Sequence, residues 1–348
     1  MGFKTIHDFP ESTNPSGNWY VLVDDGTGCY KKVKLSNLPG GGSISTTTST
    51  TTAAGGSTTT STTTVAGSTT TSTTSSTTTA EPNPEANAYF AALASVGYNV
   101  NETEENAIID FIDALKGEDF YSKFIAIYPM LGSTYPSMKW NMVNPVDTNG
   151  AYRLSQIGTI TFASGGATAG ADSALNTHIA PTGTIPYDKN SIGLYIRTNY
   201  TLGVAYDMGV VEGEDNSTFK QLHIAADDET FSRSGNGPGL SSVAVSGVTD
   251  GRGFWINNRT NDEEHRLYKN GVIQGSVNTY QTIPSRFPSY TIYLGGIHGV
   301  LNDNTEYTLS GRKQVCFGYV TDDALTTLEI ATLNSAVTAL VTALGRNV

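Results

Sequence analysis

Short apolar runs separated by glycine, asparagine, aspartate and proline dominate residues 122–348. Examples are the runs at residues 193–197, 221–225, 253–256 and 290–294. Runs of this length with regular turn signals are typical of the strands of a β-sandwich or jelly roll. Lys269, Asn270 and Gly271 lie between apolar residues and indicate a tight hairpin turn. The pattern therefore predicts a mainly β C-terminal domain.

In residues 81–121, the spacing of the apolar residues changes from that of strands to that of a helix. Asn101 and Glu104 have the spacing of a capping box, in which each side chain caps the other's backbone N–H. Apolar residues follow at i, i+3, i+4 and i+7, namely Ile108, Phe111, Ile112 and Leu115. The segment is predicted to be an amphipathic helix that packs on the next domain, or a helical collar at an oligomer axis.

Two further helices are predicted. Residues 85–96 are rich in alanine, and Gly97 follows them as a C-terminal signal. Near the end of the chain, Thr326 and Glu329 form a second capping box, and the apolar pattern after it stops at Gly345. We therefore expect a closing helix after the last strand.

The sequence pattern of residues 1–39 predicts a β-hairpin. An apolar run at 19–23 and a second strand at 29–35 flank turn residues at 24–28. An isolated hairpin is marginal in water, so this element is expected to dock on a partner surface and anchor the chain. The residues expected to carry the docking are Trp19, Tyr20, Leu22, Asp24, Asp25, Lys31, Lys32 and Leu35.

A low-complexity tract separates the hairpin from the helices. Of the 37 residues from Ser43 to Thr79, 29 are serine or threonine, and none is charged, aromatic or proline. Such a tract buries too little apolar surface to fold alone, so residues 40–80 are predicted to be a spacer. It is either a flexible linker or glycosylated stalk, or an ordered stalk of several identical chains, predicted as a homotrimer. Fully extended, it would span about 120 Å.

The charge of the chain limits its partners. The formal net charge is −12 over 348 residues, and residues 81–121 alone carry nine acids and one lysine. Nucleic acids and anionic membranes attract clustered lysine and arginine, so neither is expected as a partner. Cys29 and Cys316 do not indicate a disulfide framework. We expect no signal peptide and no membrane insertion, because no stretch has the required apolar length.

No catalytic constellation is expected. A glycosidase with a jelly-roll fold needs two carboxylates, about 5 Å apart for retention, usually on one strand with E-x-D-x-x-E spacing, and this spacing is missing. The acidic stretches at 212–215 and 227–229 are predicted to be solvated loops. The five histidines lack the spacing of zinc ligands. The chain is therefore predicted not to be an enzyme.

Two kinds of binding site are candidates. The oxygen-rich stretches 147–149 and 302–304 suit Ca²⁺, so Asp147 and Asp303 are candidate calcium ligands, and no other cofactor is expected. The candidate glycan-binding residues are Trp140, Trp255, Tyr268 and Tyr293, because an aromatic ring can stack on a sugar. The alternative is that these four rings belong to the sandwich core, which aromatic residues often dominate.

Several stretches carry a family resemblance. LYKNG at 267–271, YLGG at 293–296 and FGYVTDDAL at 317–325, with the closing helix, resemble concanavalin A-like (LamG-like) jelly-roll domains. IYPMLG at 127–132, KWN at 139–141, NP at 144–145 and AYRL at 151–154 look like the version in virion proteins of phages that infect Bacteroidetes. YVLVDDGTG at 20–28 with KKVKLSNL at 31–38 is similar to a short N-terminal element common in phage fibre and tail proteins.

The resemblance implies a phage virion protein in which the N-terminal element attaches to the particle. The expected segments are an anchor at 1–39, a stalk at 40–80, an acidic helical collar at 81–121 and a jelly roll at 122–348. Family members bind carbohydrate or serve adhesion in some cases and are purely structural in others. We therefore expect a capsid or tail fibre or decoration protein on the virion surface. Its expected partners are other virion proteins, copies of itself, and cell-surface or mucus glycans. A glycan-degrading depolymerase and an inert capsid decoration protein are the alternatives.

Overall fold

The computed structural model divides the chain into two compact units, Met1–Ala80 and Glu81–Val348. The described residues are 20–24, 30–34, 44–52, 56–65, 68–76 and 83–348, with gaps at 187, 200–205, 214–217, 225–227, 237–241, 262–263 and 279–287. The boundary between the units lies at the end of the serine- and threonine-rich tract.

The first unit begins with the predicted hairpin. Strands β1 (Tyr20–Asp24) and β2 (Tyr30–Lys34) pair antiparallel, with Leu22 opposite Lys32. The prediction of a hairpin is confirmed. Of the predicted anchor residues, Tyr20, Leu22, Asp24, Lys31 and Lys32 lie on these two strands, whereas Trp19, Asp25 and Leu35 lie outside the described residues. The anchoring role itself stays a prediction.

The serine- and threonine-rich tract forms a three-stranded meander. Strands β3 (Ile44–Thr52), β4 (Gly56–Val65) and β5 (Ser68–Ser76) pair antiparallel in the order β3-β4-β5. Threonine is β-branched and favours extended backbone, which agrees with this secondary structure. Pairing within one chain was not among the predicted alternatives.

Among its described residues, the second unit contains four α-helices and most of the strands. The helices are α1 (Pro84–Ser95), α2 (Glu102–Gly117), α3 (Tyr135–Met138) and α4 (Thr327–Ala343). The strands are β6 (Phe124–Tyr128), β7 (Ser155–Ile157), β8 (Ile160–Ala163), β9 (Gly166–Ala169), β10 (Ala174–Asn176), β11 (Asn190–Ile196), β12 (Tyr206–Glu212), β13 (Thr218–Ile224), β14 (Asp228–Asn236), β15 (Ser242–Val248), β16 (Gly253–Arg259), β17 (Glu264–Lys269), β18 (Val272–Asn278), β19 (Tyr293–Leu294), β20 (Gly296–Val300), β21 (Glu306–Ser310) and β22 (Gln314–Thr321). In the part of the chain described here, no helix combines the length and the apolar character that a membrane span needs.

Two large sheets form a sandwich. The first sheet has the strand order β18-β17-β16-β11-β22-β9-β8. Strand β9 pairs with the start of β22, at residues 314–315, and β6 pairs with the end of the same edge, at residues 318–321. The second has the order β15-β14-β13-β12-β20-β21, in which β12 and β20 are parallel and the other neighbours are antiparallel. A third, short sheet has the order β19-β10-β7. The prediction of a mainly β sandwich is confirmed.

The predicted hairpin turn is also present. It joins β17 to β18, and both Asn270 (φ 49°) and Gly271 (φ 77°) are left-handed. Two central residues with positive φ define the type I′ turn that suits the twist of a hairpin. The dipeptide Asn-Gly therefore identified this turn correctly.

The first sheet is buried on both faces. Neighbouring residues of a strand point to opposite faces. Phe254 and Ile256 of β16 join the core cluster of the helices, whereas Trp255 between them joins the cluster that lies between the two sheets. Phe317 and Tyr319 of β22 also belong to the helical cluster. The unit is therefore built in three layers, with helices, first sheet and second sheet in that order.

Helix α2 packs against the first sheet through its predicted apolar face. The residues at that face, Ile108, Phe111, Ile112 and Leu115, are all at most 1% exposed. The ring of Phe111 meets that of Phe317 edge-on, with 5.6 Å between their centroids. Burying each such side chain contributes about 1.5–3 kcal/mol. The apolar face is therefore occupied within its own chain.

Candidate functional site

The four aromatic residues predicted to bind glycans lie in the core. The exposed fractions are 4% for Trp140, 0% for Trp255, 2% for Tyr268 and 5% for Tyr293. The indole N–H of Trp255 donates to the carbonyl of Gly251 at 2.8 Å. A ring can stack on a sugar only where one of its faces is exposed. The structure therefore favours the alternative reading of these rings as core residues, because the sheet that carries Trp255 and Tyr268 is covered on both faces.

The two candidate calcium ligands have protein donors as partners. Lys139 Nζ lies 2.6 Å from Asp147 Oδ2, and Arg153 Nε lies 3.4 Å from Asp147 Oδ1. The backbone N–H of Thr305 donates to Asp303 Oδ1 at 2.9 Å, and this hydrogen bond lowers the pKa of Asp303. Within the described residues, no group of three or more His, Cys, Asp or Glu side chains is arranged to hold a metal ion.

A cleft of about 570 Å³ lies where the start of α2, the loop after β6 and the end of α4 meet. We call it the Arg346 cleft, and it is lined by residues 98, 101–104, 132–133, 164, 343–344 and 346. Its side chains include a guanidinium, carboxylates, hydroxyls and one tyrosine ring. A few converging polar groups in a concave site are typical of sites for small ligands. This cleft is the candidate functional site.

The capping box of α2 fixes one wall of the cleft. Asn101 Oδ1 accepts from the Glu104 N–H at 3.0 Å, and Glu104 Oε2 accepts from the Asn101 N–H at 3.1 Å. The Tyr98 hydroxyl donates to Glu104 Oε1 at 2.5 Å. Burial, together with this carboxylate acceptor, raises the pKa of Tyr98 to about 12, so the hydroxyl stays protonated at neutral pH. Both oxygens of Glu104 therefore have protein donors, and its carboxylate is held in place.

The turn after α4 positions Arg346. Gly345 has a left-handed φ of 66°, and its N–H donates to the carbonyl of Thr342 at 3.0 Å. The Arg346 N–H donates to the carbonyl of Val341 at 2.7 Å. These two bonds are those of a Schellman motif, in which glycine ends a helix and reverses the chain. The motif turns the residue after the glycine back towards the helix.

The side chain of Arg346 is buried beside the cleft. The residue is 3% exposed, and its Nη1 donates to the carbonyl of Pro129 at 3.0 Å. Its Nε has no hydrogen-bond acceptor, and no carboxylate in the described part of the chain forms an ion pair with it. Burial lowers the pKa of Arg346, and nearby ionisable groups, Cys316 first and Glu104 last, oppose this effect. An arginine nevertheless stays protonated at neutral pH, so the group is a buried and unpaired cation.

The loop after β6 forms another wall. Gly132 has a φ of 85°, and a Cβ there would lie 2.3 Å from Ser137 Oγ and 3.0 Å from Tyr98 Cε2. Only glycine allows this approach, which brings the loop against the Tyr98 ring. Ser133 and Ser164 are exposed on the cleft side. Their hydroxyls can both donate and accept hydrogen bonds.

Sequence reasoning missed this cleft because its residues come from four distant stretches of the chain. One signal was present in the sequence. Gly345 was predicted to end the closing helix, and a C-terminal glycine commonly forms a Schellman turn. A basic residue directly after such a glycine is therefore a candidate for an inward-facing cation, as Arg346 is.

Comparisons with known proteins give distant structural similarities. No protein-family model matches the chain, and no curated protein sequence matches it. The binding domain of botulinum neurotoxin serotype D is 13% identical, with a TM-score of 0.41, over 62% of this chain and 51% of that one. The CBM40 domain of the Ruminococcus gnavus IT-sialidase is 14% identical, with a TM-score of 0.34, over 42% of this chain and 83% of that one. The chain thus covers about half of the botulinum domain. Similarities at this level carry no argument about its ligand.

Proposed function

We propose that the chain is a structural protein of a phage virion, in a capsid or tail fibre or as a decoration protein, and that its C-terminal sandwich serves adhesion to glycans. Residues 1–39 attach it to other virion proteins, and residues 40–80 separate the attachment from the sandwich. The chain is made in the host cytoplasm, and copies of it assemble as a homotrimer on the particle surface. It binds cell-surface or mucus glycans and does not cleave them.

The Arg346 cleft is the observation that supports adhesion. Its volume of about 570 Å³ lies in the range of roughly 300–1,000 Å³ that is usual for small-molecule sites. Serine hydroxyls, carboxylate oxygens and a guanidinium can exchange hydrogen bonds with the many hydroxyls of a sugar. Tyr98 adds an aromatic ring to the lining.

The division into two units supports attachment by one unit and binding by the other. The N-terminal hairpin lies in the first unit and the cleft residues in the second. A single sugar site is weak, but many copies on one particle act together because the second contact is effectively intramolecular. A virion that carries many copies therefore needs no tight individual site.

A glycan array with the full-length chain tests the adhesion proposal. We expect binding to a subset of glycans. Ser164→Trp should reduce this binding at least about tenfold, because the indole fills the cleft from an exposed position. Thr338→Trp, at an exposed position of α4 outside the cleft lining, is the matched control and should bind as the wild type does. An array without any bound glycan, or equal binding by Ser164→Trp, would contradict the proposal.

Two further assays with the full-length chain distinguish adhesion from its two alternatives, a depolymerase and an inert decoration protein. Incubation with the bound polysaccharide should release no new reducing ends, and their appearance would indicate a depolymerase. An antibody against the chain should label intact particles, and particles made with a chain that lacks residues 1–39 should lose the label. Labelled particles without any glycan binding would indicate an inert decoration protein.

A further inference from the structure

The Arg346 cleft contains a positive charge without an ion-pair partner among the described residues. The Arg346 residue is 3% exposed, its Nε–H has no acceptor, and no ion pair to it is present among the described residues. A buried charge is strongly unfavourable unless it is paired and hydrogen-bonded, and arginine is rarely buried without such a partner. An anionic group bound in the cleft would supply the missing partner.

We propose that the Arg346 cleft binds a sugar that carries a carboxylate, a uronic or sialic acid, with the carboxylate against the guanidinium. The proposal rests on the glycan-binding function proposed above and adds the chemical class of the ligand. The planar fork of arginine matches a carboxylate with two parallel hydrogen bonds. Nη1 is held by the carbonyl of Pro129, so this bond orients the guanidinium, and the unpartnered Nε–H is a donor for the ligand. Nε is shielded from solvent, so a hydrogen bond from it to the carboxylate requires the side chain to move towards the cleft.

The rest of the lining favours a sugar acid over a simple anion. Glu102 and Glu104 place negative charge at the start of α2, which opposes phosphate or inorganic sulfate, with nearly two negative charges, more strongly than a carboxylate with one. Carboxylate oxygens accept hydrogen bonds from hydroxyl groups, and Ser133 and Ser164 provide further partners. A ligand with one carboxylate and several hydroxyls therefore matches both signs of charge in the cleft.

Calorimetric titration of the full-length chain with four sugars tests this proposal. The sugars are methyl glucuronide, its uncharged methyl ester, methyl glucoside, and methyl sialoside. We expect the glucuronide or the sialoside to bind at least about tenfold more tightly than the ester and the glucoside, because a charge-assisted pair is lost in the uncharged sugars. The first and fourth sugars distinguish the two kinds of acid. Glucose 6-phosphate, added as a fifth ligand, should bind more weakly than the preferred acid, because its larger negative charge is repelled by Glu102 and Glu104.

Variants connect this preference to the cleft. Arg346→Gln should abolish the preference for the acid over its ester, and Arg346→Lys should reduce it, because lysine keeps the charge but not the fork. Ser164→Trp should remove binding of all the sugars without touching Arg346, and Thr338→Trp should change nothing. Thermal melting of each variant checks folding. If Arg346→Gln does not fold, Arg346→Lys and Ser164→Trp still decide the question.

Each outcome bears on one of the two proposals. Equal affinity for the acid and its ester, with binding lost in Ser164→Trp, would overturn the ligand class and leave adhesion through the cleft intact. A preference for the acid that survives in both Arg346→Lys and Ser164→Trp would place the acid elsewhere and overturn this site. Absence of binding to any sugar would overturn both proposals.

Discussion

At the scale of single residues, the candidate site depends on two glycines that no other residue replaces without strain. Gly345 reverses the chain after α4 and so directs Arg346 inward. Gly132 lets the loop after β6 approach Tyr98. Both have positive φ, a region in which a Cβ clashes with the backbone. The position of the buried guanidinium is thus set by backbone conformation, and the sequence encodes it as Gly345-Arg346.

Gly345→Ala should destabilise the chain by about 1 kcal/mol, because alanine in a left-handed conformation is strained by this amount. Open space surrounds a Cβ at Gly345, so no steric clash with neighbours adds to the effect. Urea unfolding of the second unit measures the change. Gly117→Ala is the matched control, since that glycine also ends a helix in open space but without a left-handed φ. It should leave stability unchanged or raise it slightly, and an equal loss in both variants would contradict the explanation.

At the scale of elements, sequence patterns predicted those features that depend on neighbouring residues. The period of Ile108, Phe111, Ile112 and Leu115 identified the buried face of α2, and Asn270 with Gly271 identified a hairpin turn. The patterns could not show which sheet is covered on both faces, because the helices that cover it are far away in the sequence. For this reason the rings of β16 and β17 were candidates for sugar stacking, although the core was the favoured interpretation of them. The cleft was missed because its lining residues are also far apart in the sequence.

The start of α4 is joined to the start of β6 by a partly buried ion pair. Lys123 Nζ lies 2.8 Å from Glu329 Oε1 and also donates to the carbonyl of Ala324 at 3.1 Å. Glu329 in turn forms the capping box with Thr326. Burial acts to raise the pKa of Glu329, but the bonds from Lys123 and the Thr326 N–H lower it overall. One carboxylate thus caps the helix and binds it to the sheet.

The lowered pKa of Glu329 predicts a dependence of stability on pH. A carboxyl group whose folded pKa lies below its unfolded value stabilises the fold above the unfolded value, and this contribution is lost as pH falls through the folded pKa. Glu329→Gln should therefore lower the melting temperature at pH 7, and the difference from wild type should shrink below about pH 4.5. Thermal melts between pH 7 and pH 3 measure it.

Glu105→Gln is the control for this experiment. It removes another first-turn carboxylate, but an exposed one in α2. Exposed charges near helix ends contribute little, so this variant should show a smaller difference at pH 7. A Glu329→Gln difference that stays constant down to pH 3 would show that lost packing, and not the ion pair, causes the change.

At the scale of the whole molecule, the two units have different sequence chemistry and different proposed tasks. The second unit buries two core clusters around the first sheet, which makes it a stable support for the cleft. The tract in the first unit is serine and threonine with almost no apolar residues, and it forms strands by backbone pairing. In the meander, β3 and β5 each pair with β4 on one side only among the described strands. Such edges can pair with another chain, so they provide a route to the proposed homotrimer.

The proposed homotrimer predicts the mass and the avidity of the full-length chain. Light scattering should give three times the chain mass of 36.9 kDa. A variant that lacks residues 43–79 should have the mass of a single shortened chain, because it has lost both edge strands through which the copies are proposed to pair. It should keep the affinity for a single sugar in solution but dissociate at least about a hundredfold faster from a sugar-coated surface, since linked sites rebind at high effective concentration. Ser164→Trp in the full-length chain should show the reverse, a retained trimer mass with lost surface binding. A monomeric full-length chain would overturn the proposed homotrimer, and avidity would then have to come from many separate copies on one particle.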